Sequence, residues 1–549
     1  MIQEIQLSNF KAFADTVRIP IKPITLIFGP NSSGKSSIFH ALLMLKQTVE
    51  EKSISGEQTL LPKGNLVDLG NFREFIHNHD ENISFSVTFK IAPPIDLYDA
   101  IPTEEYLASA HGDSERLNNL CKSIETLLLG ITLSFSYDRI TGIHVKKIDL
   151  LVGEDPTPII TFVKEPPESM ENLADDADEE VKKRRERQWQ KYRNSPNSYL
   201  KFKKIENHDY WEIYFNSIKE DQYWSGYKEE FERLSAVKRE VINLSMEDTK
   251  RLSRLGISLD TLTSTIGELF ADDFLMLSKF LPVELNGYHP QYLTSDDFGD
   301  LDYDNISVLT LAVSYMIEKY LYNCVYLGPV RHNPERDFFF SGIISSHVGK
   351  NGQYTNEILV ANPELVEKVN KQLSSLDLGY QIKIVPLASA SSDVKVSTIR
   401  LVSDSGVDLA ITDVGYGISQ VLPIILQSVL AAGKTILIEQ PELHLHPAQQ
   451  AELGDLFINA ALGEQKNTFI IETHSEHVLL RLMRRMRETC NENLSKGMPP
   501  VSPDDVSILY VQPTKAGSVV RVLELDAEGQ LLDPWPGGFF EEGFRERFA

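Results

Sequence analysis

Apolar residues fall in short, bounded runs at the two ends of this chain and thin out in the middle. Near the start, Glu4-Ile-Gln-Leu7 alternates and Ile24-Thr-Leu-Ile-Phe28 is continuously apolar, which predicts two or three strands within residues 1–28. A helical spacing follows in Ile38, Ala41, Leu42 and Leu45. Ile83-Ser-Phe-Ser-Val-Thr-Phe89 alternates as a half-buried strand does, Gly130–Tyr137 reads as another, and residues 146–163 add one or two more. From about Glu165 to Lys204 the chain is charged and poor in aliphatics, and residues 226–282 carry helix-period apolar positions. From Asn305 the pattern becomes α/β. Ile306–Tyr322 reads as a helix and Cys324–Leu327 as a strand, with further strands near Ile382–Val385 and Thr398–Val402. Helix and strand then alternate from Ser419 to Thr473.

Candidate chemistry begins at the junction of the first buried strand and the first helix. Gly29-Pro30-Asn31-Ser32-Ser33-Gly34-Lys35-Ser36 fits the P-loop pattern, and the strand before it and the helix after it are the context that pattern requires. Backbone N–H groups from Asn31 to Ser37 would cradle phosphate oxygens at the helix N-terminus. Lys35 would reach the β- and γ-phosphates of ATP and Ser36 would ligate Mg²⁺. A second group of motifs lies near the C-terminus. Thr435-Ile-Leu-Ile438 leads into Glu439-Gln440-Pro441-Glu442, which places a carboxylate where Mg²⁺ needs one. Thr468-Phe-Ile-Ile471 leads into Glu472-Thr-His474-Ser475, and His474 can reach a γ-phosphate. Upstream, Asp413-Val-Gly-Tyr-Gly417-Ile-Ser419-Gln420 precedes an apolar helix. Gly417 allows close backbone approach, and Ser419 would sit at an anion-attracting helix N-terminus.

The order of these motifs resembles the ABC-type ATPase heads of the SMC and RecF class, and Ser419 stands 20 residues before Glu439 as the signature serine of those heads does. That resemblance implies an α/β ABC-type P-loop ATPase head, with mixed sheets flanked by helices and a helical insertion between two lobes. It further implies a homodimer, or a higher even-numbered oligomer, in which two heads sandwich ATP. Leu7–Phe13, Gly29–Ser37, Gly328-Pro-Val-Arg331, Glu439–Pro447 and Thr473–Glu476 narrow the likeness to the OLD-like AAA ATPases of prokaryotic antiphage defence. Asp533–Phe540 matches the C-terminal segment of one subgroup, and the PtuA-type subunits of Septu and retron-associated systems share this build.

Domains are accordingly expected at 1–165 (N-lobe with P-loop), 166–300 (charged helical insertion, a docking region), 301–515 (C-lobe) and 516–549 (docking tail). Lys11 is a candidate to help hold the base or ribose, and Arg331, which follows a strand, is either an ordinary surface arginine or takes a phosphate or interface role. An HNH nuclease subunit is the expected partner, with a retron reverse transcriptase and its msDNA or RNA as a further one. One departure matters: ABC heads carry Asp-Glu at the acidic strand end, and here the pair is Glu439-Gln440. Glutamine cannot accept a proton, so either Glu442 substitutes or ATP turnover is slow.

Composition trims the alternatives. The 549-residue chain carries a net charge of −25, which argues against general adhesion to nucleic acid, although Lys182–Arg187 and Arg481–Arg487 are locally basic. Its cysteines, Cys121, Cys324 and Cys490, form neither a disulfide framework nor a metal cluster. The expected location is the cytoplasm, with no membrane segment and no signal peptide. His444 and His446 read as loop-shaping rather than metal-binding, and Trp535–Phe540 as a docking tail or core plug. After His474 no acidic D-x-D cluster is expected, and no H-N-H nuclease constellation elsewhere. Rival functions are a RecF- or SMC-like DNA-repair ATPase, an autonomous OLD-type nuclease and a toxin–antitoxin component.

Overall fold

In the computed structural model the described residues are 2–51, 59–92, 128–153, 157–158, 160–165, 186, 189, 199–205, 274–278, 281–286, 299–339, 344–387 and 396–536. They divide into two units. One comprises Met1–Lys11 with Met44–Tyr322, the other Ala12–Leu43 with Asn323–Ala549.

The first unit is built on antiparallel strands. Ile2–Ser8 pairs with Phe85–Ile91, which pairs with Leu129–Asp138 and then Gly142–Val152. Ile160–Val163, Tyr199–Ile205, Phe274–Ser278 and Leu281–Asn286 continue the sheet. Beside it Phe10, Phe72, Phe75 and Phe85 pack ring against ring, with centroids 5.3–6.1 Å apart. The last three strands fall inside the stretch expected to be a helical insertion. Apart from residues 186, 189, 299 and 300, the rest of that stretch, and with it most of the expected docking region, lies outside the described residues. The tripeptide His77-Asn78-His79 forms a 3₁₀ turn. Its rings serve the backbone: His77 Nδ1 lies 2.9 Å from the Lys11 carbonyl and His79 Nδ1 2.7 Å from that of Arg73.

The second unit holds a six-stranded mixed sheet in the order Cys324–Leu327, Thr435–Glu439, Thr468–Glu472, Ile24–Phe28, Val506–Thr514, Gly517–Leu523. The first five strands are parallel and the last is antiparallel. Ile24–Phe28, Thr435–Glu439 and Thr468–Glu472 are buried at every position. Their runs are continuously apolar because a parallel sheet is covered on both faces. Helices Tyr416–Leu430, Pro447–Leu462 and Glu476–Cys490 contribute to that core. A separate small sheet joins Phe338–Phe339, Val396–Ser403, Tyr380–Pro386 and Asp408–Ala410.

Two expected boundaries move. The P-loop belongs with the C-terminal unit, because Ile24–Phe28 is hydrogen-bonded between two strands from the far end of the chain. The expected break before residue 516 cuts through a hairpin whose strands meet at Thr514 and Gly517. Arg481 and Arg485 of the basic run Arg481–Arg487 are ion-paired. Asp455 holds Arg481 Nη1 and both Arg485 Nε and Nη2, at 2.5–2.7 Å, and Arg485 is 8% exposed. Among the described residues no helix is long and apolar enough to cross a membrane.

Candidate nucleotide site

Parallel strands bring their carboxyl ends to one edge of the sheet, where ligands of such folds gather. Here that edge carries Gly29 after Phe28, Gln440 after Glu439 and Thr473 after Glu472. Glu439 and Glu472 are register partners on neighbouring strands.

The loop from Gly29 to Gly34 turns through positive φ at Gly29 (147°), Ser32 (62°) and Gly34 (100°). Asn31 and Ser32 are exposed, whereas Ser33, Lys35 and Ser37 are buried. Lys35 begins the helix that runs to Glu50. Its Nζ donates to the carbonyls of Gly29 (3.0 Å) and Pro30 (2.9 Å) and lies 3.8 Å from Glu472 Oε1. Burial lowers its pKa, while the charges of Glu472, Glu439 and Glu442 oppose that shift. Ser36 Oγ donates to Glu472 Oε2 at 2.8 Å. Sequence reasoning assigned no role to Glu472, although it closes its strand just as Glu439 closes the neighbouring one.

Glu439 is 7% exposed and its Oε1 accepts the Tyr326 hydroxyl at 2.8 Å. Burial pushes its carboxyl up to about 7, the tyrosine hydrogen bond opposes that rise and the Glu472 charge adds to it. Glu442 is buried with both oxygens engaged. Oε2 accepts from Thr473 Oγ1 (2.7 Å) and Oε1 from the His474 N–H (2.8 Å). Burial raises the Glu442 and Glu472 carboxyls as well, and lowers the half-buried imidazole of His474. Gln440 takes a positive φ of 46°, and its N–H donates to the Glu472 carbonyl at 2.7 Å.

Arg331 is only 3% exposed, so it is no surface arginine. Its guanidinium donates to the carbonyls of Glu439 (2.9 Å), Gln440 (3.2 Å) and Pro329 (3.1 Å). It therefore clamps the backbone where the acidic strand turns. Burial lowers its pKa to about 10, against the pull of Glu442, Tyr326 and Glu439.

Ser419 is the fourth residue of helix Tyr416–Leu430, buried, with its Oγ donating to the Tyr416 carbonyl at 2.8 Å. Gly417 is needed for close approach, since a Cβ there would lie 2.9 Å from the His444 carbonyl. Tyr416 is exposed, its ring 6.0 Å from that of His444. His446 caps helix Pro447–Leu462 and shares a capping box with Gln449. Lys11 belongs to the other unit, with φ 48° and its N–H bonded to the Phe75 carbonyl. The described residues contain no cluster of three or more His, Cys, Asp or Glu side chains able to hold a metal by themselves. The Ser36 hydroxyl beside Glu472, with Glu439 on the next strand, nonetheless fits Mg²⁺, a hard cation that takes one or two protein oxygens and completes its shell with phosphates and water.

A carboxyl held neutral by burial makes stability depend on pH. The folded pKa of Glu439 is raised above the ordinary value of 4.5 to about 7. Its contribution is therefore fully present below about pH 4.5 and is lost as pH rises through about 7, a change of about 3 kcal/mol from this group. The melting temperature of nucleotide-free protein is expected to fall more steeply between pH 5 and 7.5 than that of Glu439→Gln. Equal slopes would mean that Glu439 is already ionised at pH 5.

Strand, phosphate loop and helix, with buried carboxylates on the adjoining strand ends, define a P-loop ATPase of α/β fold. Residues 1–278 and 343–479 match the family described as an AAA ATPase domain, and the chain belongs to that family. Residues 501–547 match a second family, described as a protein of unknown function (DUF3696). Local similarity extends to the chromosome partition protein Smc of Synechocystis sp. (36% identical over 91 residues) and of Synechococcus sp. (51% over 43 residues). These matches take in 16% and 8% of this chain, and 7% and 4% of the lengths of those relatives. Among solved structures, the SMC head domain from Thermotoga maritima aligns over 95% of this chain and 99% of its own, with 12% identity and a TM-score of 0.33. An SmcHead bound to the C-winged helix domain of ScpA aligns over 96% and 98%, with 10% identity and a TM-score of 0.37.

Proposed function

We propose that this ATPase works as a nucleotide-gated switch: two copies close around ATP, hydrolyse it slowly, and the closed state controls a separate effector. The observation that carries this reading is the pairing of Gln440 with a committed Glu442. A glutamine occupies the place of the general base, and both oxygens of Glu442, the carboxylate that could substitute, already accept hydrogen bonds. A site that holds phosphates but activates water poorly favours long-lived closure over turnover.

In this reading Lys35 contacts the β- and γ-phosphates, the loop N–H groups from Asn31 to Ser37 surround them, and His474 faces the γ-phosphate. Ser36 with Glu472 or Glu439 holds Mg²⁺, which when bound neutralises charge developing on the phosphates. Gly417 and Ser419 of the partner copy complete the site. The motif resemblance further supports an antiphage role, with closure licensing a nuclease subunit such as an HNH protein and a retron reverse transcriptase with its msDNA as an additional partner. Direct DNA binding, the SMC-like alternative, has less support, because Arg481 and Arg485 are committed to Asp455.

Light scattering with Mg²⁺ and a non-hydrolysable ATP analogue tests the switch. The native chain is expected to double in mass, and Ser419→Arg to require roughly tenfold more protein to do so. A Ser419→Arg variant that associates like the native chain removes the trans site from the proposal.

A further inference from the structure

We infer that the C-terminal hairpin sets the phosphate loop through Ser518, a positioning residue for nucleotide binding; this rests on the reading that the loop binds phosphates. Val506–Thr514 runs parallel to Ile24–Phe28, with Tyr510 in register with Phe28. One residue further on, the strand's backbone meets the loop itself. A Cβ on Gly29 would lie 2.4 Å from the Val511 carbonyl, so only glycine fits between loop and hairpin there. Lys515 and Ala516 turn the chain back, and Ser518 arrives beside the loop, 6% exposed.

Ser518 then makes two hydrogen bonds. Its N–H donates to the Ala12 carbonyl at 2.7 Å, and its Oγ donates to the Ser33 carbonyl at 2.5 Å. The second bond has a consequence for the ligand. In a planar trans peptide the carbonyl and the following N–H point in opposite directions. Fixing the Ser33 carbonyl toward the hairpin therefore fixes the Gly34 N–H away from it. Gly34 is held on the same side, since a Cβ there would lie 2.6 Å from Ala12 Cβ. An N–H fixed in advance need not be ordered when phosphate binds, which favours affinity. The hairpin falls within residues 501–547, the part that matches a family of unknown function, so bracing the phosphate loop gives that segment a task. Beyond the hairpin Trp535 stacks edge-on against Phe28 (5.2 Å) and Tyr510 (5.8 Å), packing the same segment onto the strand that ends at Gly29.

The test is titration of the full-length protein with a fluorescent ATP analogue and Mg²⁺, followed by kcat at saturating ATP. Ser518→Ala is expected to bind about fivefold to tenfold more weakly with kcat little changed, and Ser518→Thr, which keeps the hydroxyl, to bind within about twofold of native. Val519→Ala, on the same strand but facing Gln512 in the register, controls for a loosened hairpin and is expected to bind normally. If Ser518→Ala does not fold, Ser518→Cys, a weak donor of similar size, is expected to show the same loss. Native affinity in the Ala or Cys variant, or an equal loss in Val519→Ala, overturns the inference. Lys35→Ala, measured alongside, separates the failures: if it too binds normally, the phosphate-loop reading falls first.

Discussion

Replacing Lys35 with alanine is expected to weaken nucleotide binding at least a hundredfold. The ammonium is 4% exposed and sits over the loop between the carbonyls of Gly29 and Pro30. A charge-assisted hydrogen bond is worth about 1.5–3 kcal/mol, and two to phosphate oxygens amount to about 3–6 kcal/mol, or two decades of affinity or more. The fold is expected to survive. Glu472 would lose its cation, but its carboxyl is already raised by burial and can take a proton instead of standing as a bare charge. Titration of the variant by fluorescence, with circular dichroism melting as the folding control, checks both halves. A folded Lys35→Ala protein with native affinity would show that the phosphates lie elsewhere.

What could be read in the sequence was local. The phosphate loop is a contiguous motif flanked by its own strand and helix, so one stretch of chain contained its whole context. Buried strands such as Thr435–Glu439 were legible for the same reason, since burial on both faces leaves an unbroken apolar run. What could not be read was adjacency. Two acidic strand ends were visible, but which lies beside the loop depends on strand order. Thr468–Glu472 is the immediate neighbour of Ile24–Phe28, so Glu472 reaches Ser36, while Glu439, one strand further out, reaches Tyr326. Tyr326 and Arg331 acquire their partners through the same order, because Cys324–Leu327 pairs with Thr435–Glu439.

The hairpin was a different kind of miss. Val506-Ser-Ile-Leu-Tyr-Val511 has the apolar content of a strand, and Ser518-Val-Val-Arg-Val-Leu523 has that of its return. Both follow an apparently complete set of ATPase motifs, which invited a boundary where the sheet in fact continues. Completion of the sheet at the loop's own flank is a long-range pairing, joining residue 28 to residue 510, and no local periodicity encodes it.

Gln440→Glu is expected to raise the hydrolysis rate tenfold to a hundredfold at pH 8. The two side chains are nearly isosteric, so the backbone at φ 46°, the N–H bond to the Glu472 carbonyl and the Arg331 contact to the residue 440 carbonyl should all persist. The change supplies a proton acceptor, and a positioned general base contributes about 10²–10⁴-fold. The gain falls at or below the lower end of that range because the new carboxylate joins Glu439, Glu442 and Glu472, whose carboxyls are all raised by burial, with Lys35 and Arg331 as the nearby cations. A fourth acid there is pushed upward by burial and like charge, and a protonated carboxyl accepts nothing. The gain should therefore shrink as pH falls toward 6, while the native protein lacks that added dependence. Phosphate release measured from pH 6 to 8.5, with dimer lifetime after ATP is diluted away, reads both effects. A faster variant should also lose its closed dimer sooner. Native rates throughout would mean that residue 440 does not limit turnover, and the long-lived closed state would then need another cause.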